Sequence, residues 1–112
     1  MELTSTRQGD ARIVTVQADR IDAAVAIQFK DRMRLETEGG PDRVILNLSS
    51  VSFIDSSGLG AIVAAMKQMG AGRRLDLAGL SPMVEKVFRL TRMDTVFTLF
   101  PSLDDAMAEL GA

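Results

Sequence analysis

The side chains best suited to chemistry in this chain are concentrated in one short segment, Asp55-Ser56-Ser57-Gly58-Leu59-Gly60. An aspartate next to a serine hydroxyl could act as the base that activates a nucleophile. A carboxylate of ordinary basicity is a weak base for an alcohol, however, and no third group is present to orient it. At the start of a helix, Asp and Ser more often cap the first turn, because their side-chain oxygens accept hydrogen bonds from free backbone N–H groups.

The segment contains more capping side chains than one helix needs. Asp55, Ser56 and Ser57 are all suitable caps, which leaves at least one hydroxyl without a structural role. Gly58 and Gly60 each cost about 1 kcal/mol relative to alanine inside a helix, and such a cost is reasonable where another backbone must come close. The segment therefore predicts a site that is open to another molecule.

The composition excludes several kinds of enzyme. The chain has no histidine and no cysteine, so it cannot form a Ser-His-Asp triad, a thiol nucleophile or a zinc site with nitrogen and sulfur ligands. The Gly58-Leu59-Gly60 pattern is not a dinucleotide-binding fingerprint, because Val63 occupies the position of the third glycine. We expect a protein that is not an enzyme and that has no cofactor and no metal site.

The elements next to the segment predict how it is held. A short apolar run stops before Asp55, and the apolar residues after the segment recur at steps of three and four, which predicts a helix over residues 57–69. Residues 43–48 are almost continuously apolar, as in a central strand covered on both faces. Residues 74–78 and 95–100 predict two further strands. The five phenylalanines, including Phe53, are expected in the core.

The start of the chain predicts a β-hairpin. Residues 2–7 and 12–17 are rich in β-branched side chains and flank a Gly9-Asp10 turn. Because short strands alternate with helices in the rest of the chain, the fold class is α/β, with a mixed sheet in which a hairpin is followed by parallel strands. Residues 1–112 fit a single domain.

Three more helices are predicted by their start signals, which makes about four in all. Asp22 is a candidate cap for a helix that follows it, and Ser81-Pro82 combines an N-cap with a proline in the first turn. Ser102 opens a terminal helix with a weak capping box. Asp22 has an alternative role, as part of a docking face near Ser56.

The motif and its flanks resemble a known family. Asp55 to Gly60, preceded by Phe53-Ile54 and by Leu46-Asn47-Leu48, resembles the signature of the STAS domain, in particular that of the bacterial anti-sigma factor antagonists. The likeness extends over nearly all of the chain and implies a single STAS-like domain. In that family the first serine after the aspartate is the phosphoacceptor, which corresponds to Ser56. Ser57 is the alternative acceptor.

The resemblance implies a partner-switching function. The unphosphorylated protein is expected to bind an anti-sigma factor that is itself an ATP-dependent serine kinase, which releases the sigma factor. The kinase then phosphorylates Ser56 and ends the complex, and a PPM-type phosphatase resets the protein. The expected partner-binding residues are Asp22, Asp55, Ser57, Gly58, Leu59 and Gly60. An alternative is a regulatory or structural STAS subunit of a lipid-transport ABC system or of a stressosome.

Charge and hydropathy indicate whether the protein binds nucleic acid or inserts into a membrane. The net charge is −2, and the 13 Lys and Arg residues are scattered singly or in pairs, which disfavours nucleic-acid binding. The sequence has no apolar run near 18 residues and no charged-then-apolar leader at its start, so we expect no membrane insertion and a cytoplasmic location.

Overall fold

A computed structural model describes residues 1–110, apart from the side chain of Leu110, and consists of seven strands and four helices within that range. Five of the strands form the main sheet, and the other two form a small separate pair. In chain order the elements are β1 (Leu3–Gln8), β2 (Ala11–Val16), β3 (Arg20–Ile21), α1 (Ala26–Thr37), β4 (Arg43–Asn47), β5 (Phe53–Ile54), α2 (Ser56–Met69), β6 (Arg74–Ala78), α3 (Pro82–Leu90), a 3-10 turn (Met93–Thr95), β7 (Leu99–Phe100) and α4 (Leu103–Leu110).

The main sheet is mixed, with the order β1-β2-β4-β6-β7. β1 and β2 are antiparallel and are joined through Gly9-Asp10, and Gly9 has a φ of 60°, which a glycine adopts without strain. The other three pairings are parallel. These findings confirm the predicted α/β class, the N-terminal hairpin and the four helices.

Strand β4 lies in the middle of the sheet and is covered on both faces, as its apolar run predicts. Val44, Ile45 and Leu46 are all fully buried. Val44 and Leu46 belong to the larger core, which α1, α2 and α3 cover, whereas Ile45 packs on the other face with Ala106 of α4. The segment from Asp55 to Gly60 therefore leads into a helix that shares the larger core with the central strand.

The predicted last strand, over residues 95–100, is wrong for most of its length. Only Leu99–Phe100 pairs with β6. The Val96 and Phe97 N–H groups both donate to the Met93 carbonyl, at 3.0 and 2.9 Å, so the backbone here forms a tight turn. Packing explains the outcome, because the turn buries Phe97 edge-to-face against Phe88 with ring centroids 6.0 Å apart.

A charged cluster fastens α4 to the sheet at the end where strands β4 and β6 begin. Asp76 is 1% exposed and accepts hydrogen bonds from Arg43 Nε and Arg74 Nε, both at 2.8 Å. Arg43 also donates to the Ala106 carbonyl at 3.3 Å, and Arg74 Nη2 lies 2.9 Å from Glu109 Oε1. The hydrogen bond to Asp76 raises the pKa of the Arg74 guanidinium, against the smaller lowering effect of burial. The cluster thus joins α4 to β4 and β6.

Among the residues that the model describes, no helix combines the length and apolar character that crossing a membrane would need.

Candidate functional site

The candidate site is the N-terminus of α2, which begins at Ser56 instead of the predicted residue 57. α2 connects the carboxyl end of β4 to the start of β6, so it runs antiparallel to these parallel strands. Its N-terminus therefore lies at the end of the strands opposite to the charged cluster. The first turn of α2 lies next to the small β3–β5 pair.

Asp55, one of the three candidate caps in the sequence, is the N-cap of α2. Its backbone is extended, and its Oδ1 accepts a hydrogen bond from the Gly58 N–H at 2.8 Å. Its Oδ2 accepts a second bond, from the Ala23 N–H at 3.1 Å. Because one carboxylate holds both α2 and the loop after β3, Asp55 fixes the position of that loop next to the two serines.

Ser56 and Ser57 occupy the first two positions of α2, and both are exposed. Asp55 provides the cap of α2. Within the described residues, neither serine hydroxyl has a hydrogen-bond partner. Both side chains are therefore accessible from solvent. The sequence predicted at least one hydroxyl without a capping role, and the structure has two. The choice of Ser56 as phosphoacceptor stays a prediction.

The small size of Gly58 makes room for the chain's own backbone, which corrects the expectation that it makes room for a partner; a role of Gly58 in partner binding stays a prediction. It is buried, and the backbone that approaches it is the chain's own. A Cβ at this position would overlap the carbonyl oxygen of Ile21 and lie 2.8 Å from the Ile21 carbonyl carbon. Gly60, by contrast, is exposed with no atom within 4 Å of an added Cβ, and Leu59 is half-buried against the core. Partner binding through Gly60 and Leu59 stays a prediction.

Asp22 does not cap α1, which corrects the preferred sequence interpretation. The N-cap residue of α1 is Val25, which makes no side-chain capping bond. Asp22 Oδ1 instead accepts from the Ala24 N–H at 3.1 Å, which tightens the loop before the helix. Its Oδ2 lies 3.2 Å from Arg20 Nε. Asp22 thus shapes the loop that Asp55 holds from the other side, and its predicted role in docking stays open.

Phe53 is 39% exposed, so the expectation that every phenylalanine is in the core is wrong for this one. Its ring lies under the guanidinium of Arg20, 5.0 Å from the ring centroid, and the two residues are paired between β3 and β5. The contacts of Arg20 with Phe53 and Asp22 were not predicted from the sequence. The spacing of two between Arg20 and Asp22 was a usable signal, because alternate residues of an extended segment share a face.

The site contains carboxylate and hydroxyl groups but no recognisable metal centre. In residues 1–110, no group of three or more acidic side chains is placed to hold a metal ion. What the geometry offers is an exposed hydroxyl at a helix N-terminus, where free N–H groups stabilise an added anion by about 0.3 to 1 kcal/mol.

Loss of the Asp55 carboxylate should destabilise the site measurably. We expect Asp55→Ala to lower the free energy of unfolding by about 1 to 2 kcal/mol, because the α2 cap and the bond to Ala23 are both lost. Urea denaturation followed by circular dichroism measures the change. Asp55→Asn is the matched control, since its amide oxygen still caps and the loss should be smaller. Equal stability of the alanine variant and the wild type would contradict the double anchoring.

Comparisons with known proteins agree on one family. A model of the STAS domain family matches residues 2–106 of this chain. A Thermotoga maritima protein, provisionally named an anti-sigma factor antagonist, is 33% identical over 72 residues, which are 63% of this chain and 64% of that protein. The anti-sigma-F factor antagonist RsfB of Mycobacterium tuberculosis is 24% identical over 87 residues, or 78% of this chain and 71% of RsfB. The match thus spans less than two thirds of the Thermotoga protein.

A solved structure shares the fold. The crystal structure of an anti-sigma factor antagonist from Mycobacterium paratuberculosis superposes on this chain with a TM-score of 0.86. The alignment covers 99% of this chain and 94% of that one, at 23% identity. At this identity the likeness concerns the fold alone.

Proposed function

This chain belongs to the STAS domain family, and from that premise we propose that it is an anti-sigma factor antagonist controlled by phosphorylation of Ser56. Unphosphorylated, it binds an anti-sigma factor that is also a serine kinase, and the sigma factor is released. Phosphorylated, it no longer binds. The names of its relatives support the general role.

The observation that carries the proposal is the accessible hydroxyl of Ser56. Asp55 supplies the only cap that α2 needs, so phosphorylation of Ser56 breaks no hydrogen bond among the described residues. The phosphate would extend from the first position of a helix, where backbone N–H groups favour an anion. The domain is therefore expected to stay folded when it is modified.

Electrostatics explain how one phosphate ends a complex. The group carries about −1.5 to −2 charges and three acceptor oxygens. A carboxylate of a docked partner about 6 Å away is repelled by about 1 to 3 kcal/mol at an effective dielectric of 40 to 80. Covering the phosphate with an interface adds a desolvation cost. Since a tenfold change in affinity needs about 1.4 kcal/mol, local repulsion is sufficient for a switch.

The chain acts in this scheme as substrate and ligand. The kinase would supply ATP and Mg²⁺, and a PPM-type phosphatase would remove the phosphate from Ser56. This assignment is consistent with the absence of histidine and cysteine from the sequence.

Two variants of Ser56 test the proposal. We expect Ser56→Ala to bind the anti-sigma kinases of the source genome as the wild type does, but to stay bound after ATP and Mg²⁺ are added. Ser56→Asp should bind at least tenfold more weakly, because it places a fixed negative charge at the same position. A pull-down with purified kinases, followed by a titration for each kinase that binds, measures both effects.

Ser57→Ala is the matched control for the acceptor. It removes the neighbouring hydroxyl, which is also exposed, and should still be phosphorylated. Mass spectrometry of the kinase reaction locates the phosphate. Phosphate on Ser57 in the wild type, or full phosphorylation of Ser56→Ala, would overturn the assignment to Ser56.

A further inference from the structure

A shallow groove runs between α1 and α2 and begins beside Ser57. It has a volume of about 210 Å³, and its lining is small or aliphatic except for one cation. Ile27 stands on its α1 side and is 72% exposed. The lining residues are Ala26, Ile27, Lys30, Ser57, Gly60, Ala61 and Ala64.

The groove has the size of an aliphatic side chain. A closed apolar cavity of about 150 Å³ holds a benzene molecule, so about 210 Å³ accepts a Leu, Ile or Phe side chain. Gly60 adds room, because no atom lies within 4 Å of where its Cβ would be. Covering the exposed Ile27 side chain together with the apolar lining of the groove would remove apolar surface from water, which favours association.

The one charged side chain that lines the groove is a cation. Lys30 lines the groove, Arg34 follows one turn later on α1, and Lys67 follows Ala64 by one turn on α2. None of these three cations has an ion-pair partner within residues 1–110. The nearest acidic residue on α1, Asp31, does not line the groove. Lys30 therefore gives the groove a positive charge, and Arg34 and Lys67 follow it along the two helices.

We propose that the α1–α2 groove binds an amphipathic helix of the anti-sigma kinase, with an aliphatic side chain in the groove and acidic residues against Lys30 and its neighbouring cations. The inference rests on the proposed function and deepens it by naming the surface and the chemistry of the partner. Two parallel helices offer a trough that suits a third helix, which presents side chains at i, i+3, i+4 and i+7.

The position of the groove also links binding of the kinase helix to the proposed phosphorylation of Ser56. The same groove has Ser57 at one end, directly after Ser56. A bound helix with acidic residues would lie beside the phosphate, and the two negative groups would repel each other. Lys30 and Ile27 would then determine which kinase docks, whereas Ser56 would determine when it leaves.

Binding by groove variants tests the proposal. The probe is the purified kinase that binds the wild-type protein in the pull-down, titrated by calorimetry against unphosphorylated protein. We expect Ile27→Glu to weaken binding at least tenfold. Lys30→Glu should weaken it by a similar factor and should reduce the dependence of the dissociation constant on salt between 50 and 300 mM NaCl.

Leu90→Glu is the matched control. Leu90 is 73% exposed, about the same as Ile27, but it lies at the C-terminus of α3, outside the groove. This variant should bind within twofold of the wild type, and circular dichroism should show all three variants folded. If Ile27→Glu and Lys30→Glu bind as the wild type does while Ser56→Asp does not, the groove is wrong and the proposed function stands. If no kinase binds the wild type, both fail.

A cross-link identifies the bound element. The chain has no cysteine, so Ala64→Cys introduces a single attachment point for a benzophenone maleimide inside the groove. We expect cross-links to fall on one helical segment of the kinase that carries Asp or Glu within a turn. Cross-links to a loop or a strand, or none despite tight binding, would overturn the proposal.

Discussion

Gly58→Ala is expected to lower the free energy of unfolding by about 3 kcal/mol or more, which is a large part of the 5 to 15 kcal/mol typical of a domain. The added Cβ meets the backbone of Ile21 and not a flexible side-chain end. Because that backbone belongs to β3, which pairs with β5, it cannot move without disturbing the pair. Urea denaturation at 25 °C measures the loss.

Gly60→Ala is the matched control for this substitution. It makes the same chemical change two residues later in the same helix, at an exposed position with open space around it. Alanine is the better helix former, so stability should rise by up to about 1 kcal/mol. If Gly58→Ala and Gly60→Ala have the same effect, the close contact between α2 and β3 is not what requires Gly58.

Asp76→Ala should cost about 3 kcal/mol of stability. The aspartate is buried and bonds to two arginines, of which Arg43 has a side chain only 11% exposed. Removal of the carboxylate leaves the Arg43 charge largely buried without its close partner, and such losses are typically 3 to 5 kcal/mol. We place the value at the low end because Arg43 keeps its bond to the Ala106 carbonyl. Chemical denaturation measures it.

Two further variants separate the buried ion pair from the exposed one. Arg74→Ala removes a half-exposed partner of Asp76 and should cost less than about 1 kcal/mol. The double variant Arg43→Met with Asp76→Leu replaces the buried pair by apolar side chains and should recover most of the stability lost in Asp76→Ala. If the double variant is as unstable as Asp76→Ala, the uncompensated charge is not the cause of the loss.

Long regular patterns in the sequence predicted their elements well. The continuous apolar run of β4 and the repeat of α2 need many residues to form, and each is visible without knowledge of its neighbours. The same holds for local start signals, since Ser81 caps α3 through the Val84 N–H at 3.3 Å. The cap of α2 is a local signal of the same kind, although the sequence offered Asp55, Ser56 and Ser57 for it and only the structure selects Asp55.

Features that depend on tertiary contacts were not predicted. β3 and β5 have two residues each, which is too short for a periodicity, so neither their pairing nor the exposure of Phe53 could be read from the sequence. The role of Gly58 was misassigned because it, too, depends on a tertiary contact. Its pattern correctly indicated that a backbone comes close, but the sequence does not reveal that Ile21 supplies it. The groove between α1 and α2 arises only when the two helices pack.

The proposed phosphorylation site and the charged cluster around Asp76 lie near opposite ends of the parallel strands. α2 has 14 residues, so its two ends lie about 20 Å apart, whereas salt at cellular strength screens charges beyond about 8 Å. If Ser56 is phosphorylated as we propose, the exposed phosphate is therefore expected to act only weakly on Arg74, the half-exposed arginine of that cluster. The proposed switch would then change the charge at one end of the domain by nearly two units, while the ion pairs that hold α4 at the other end stay intact.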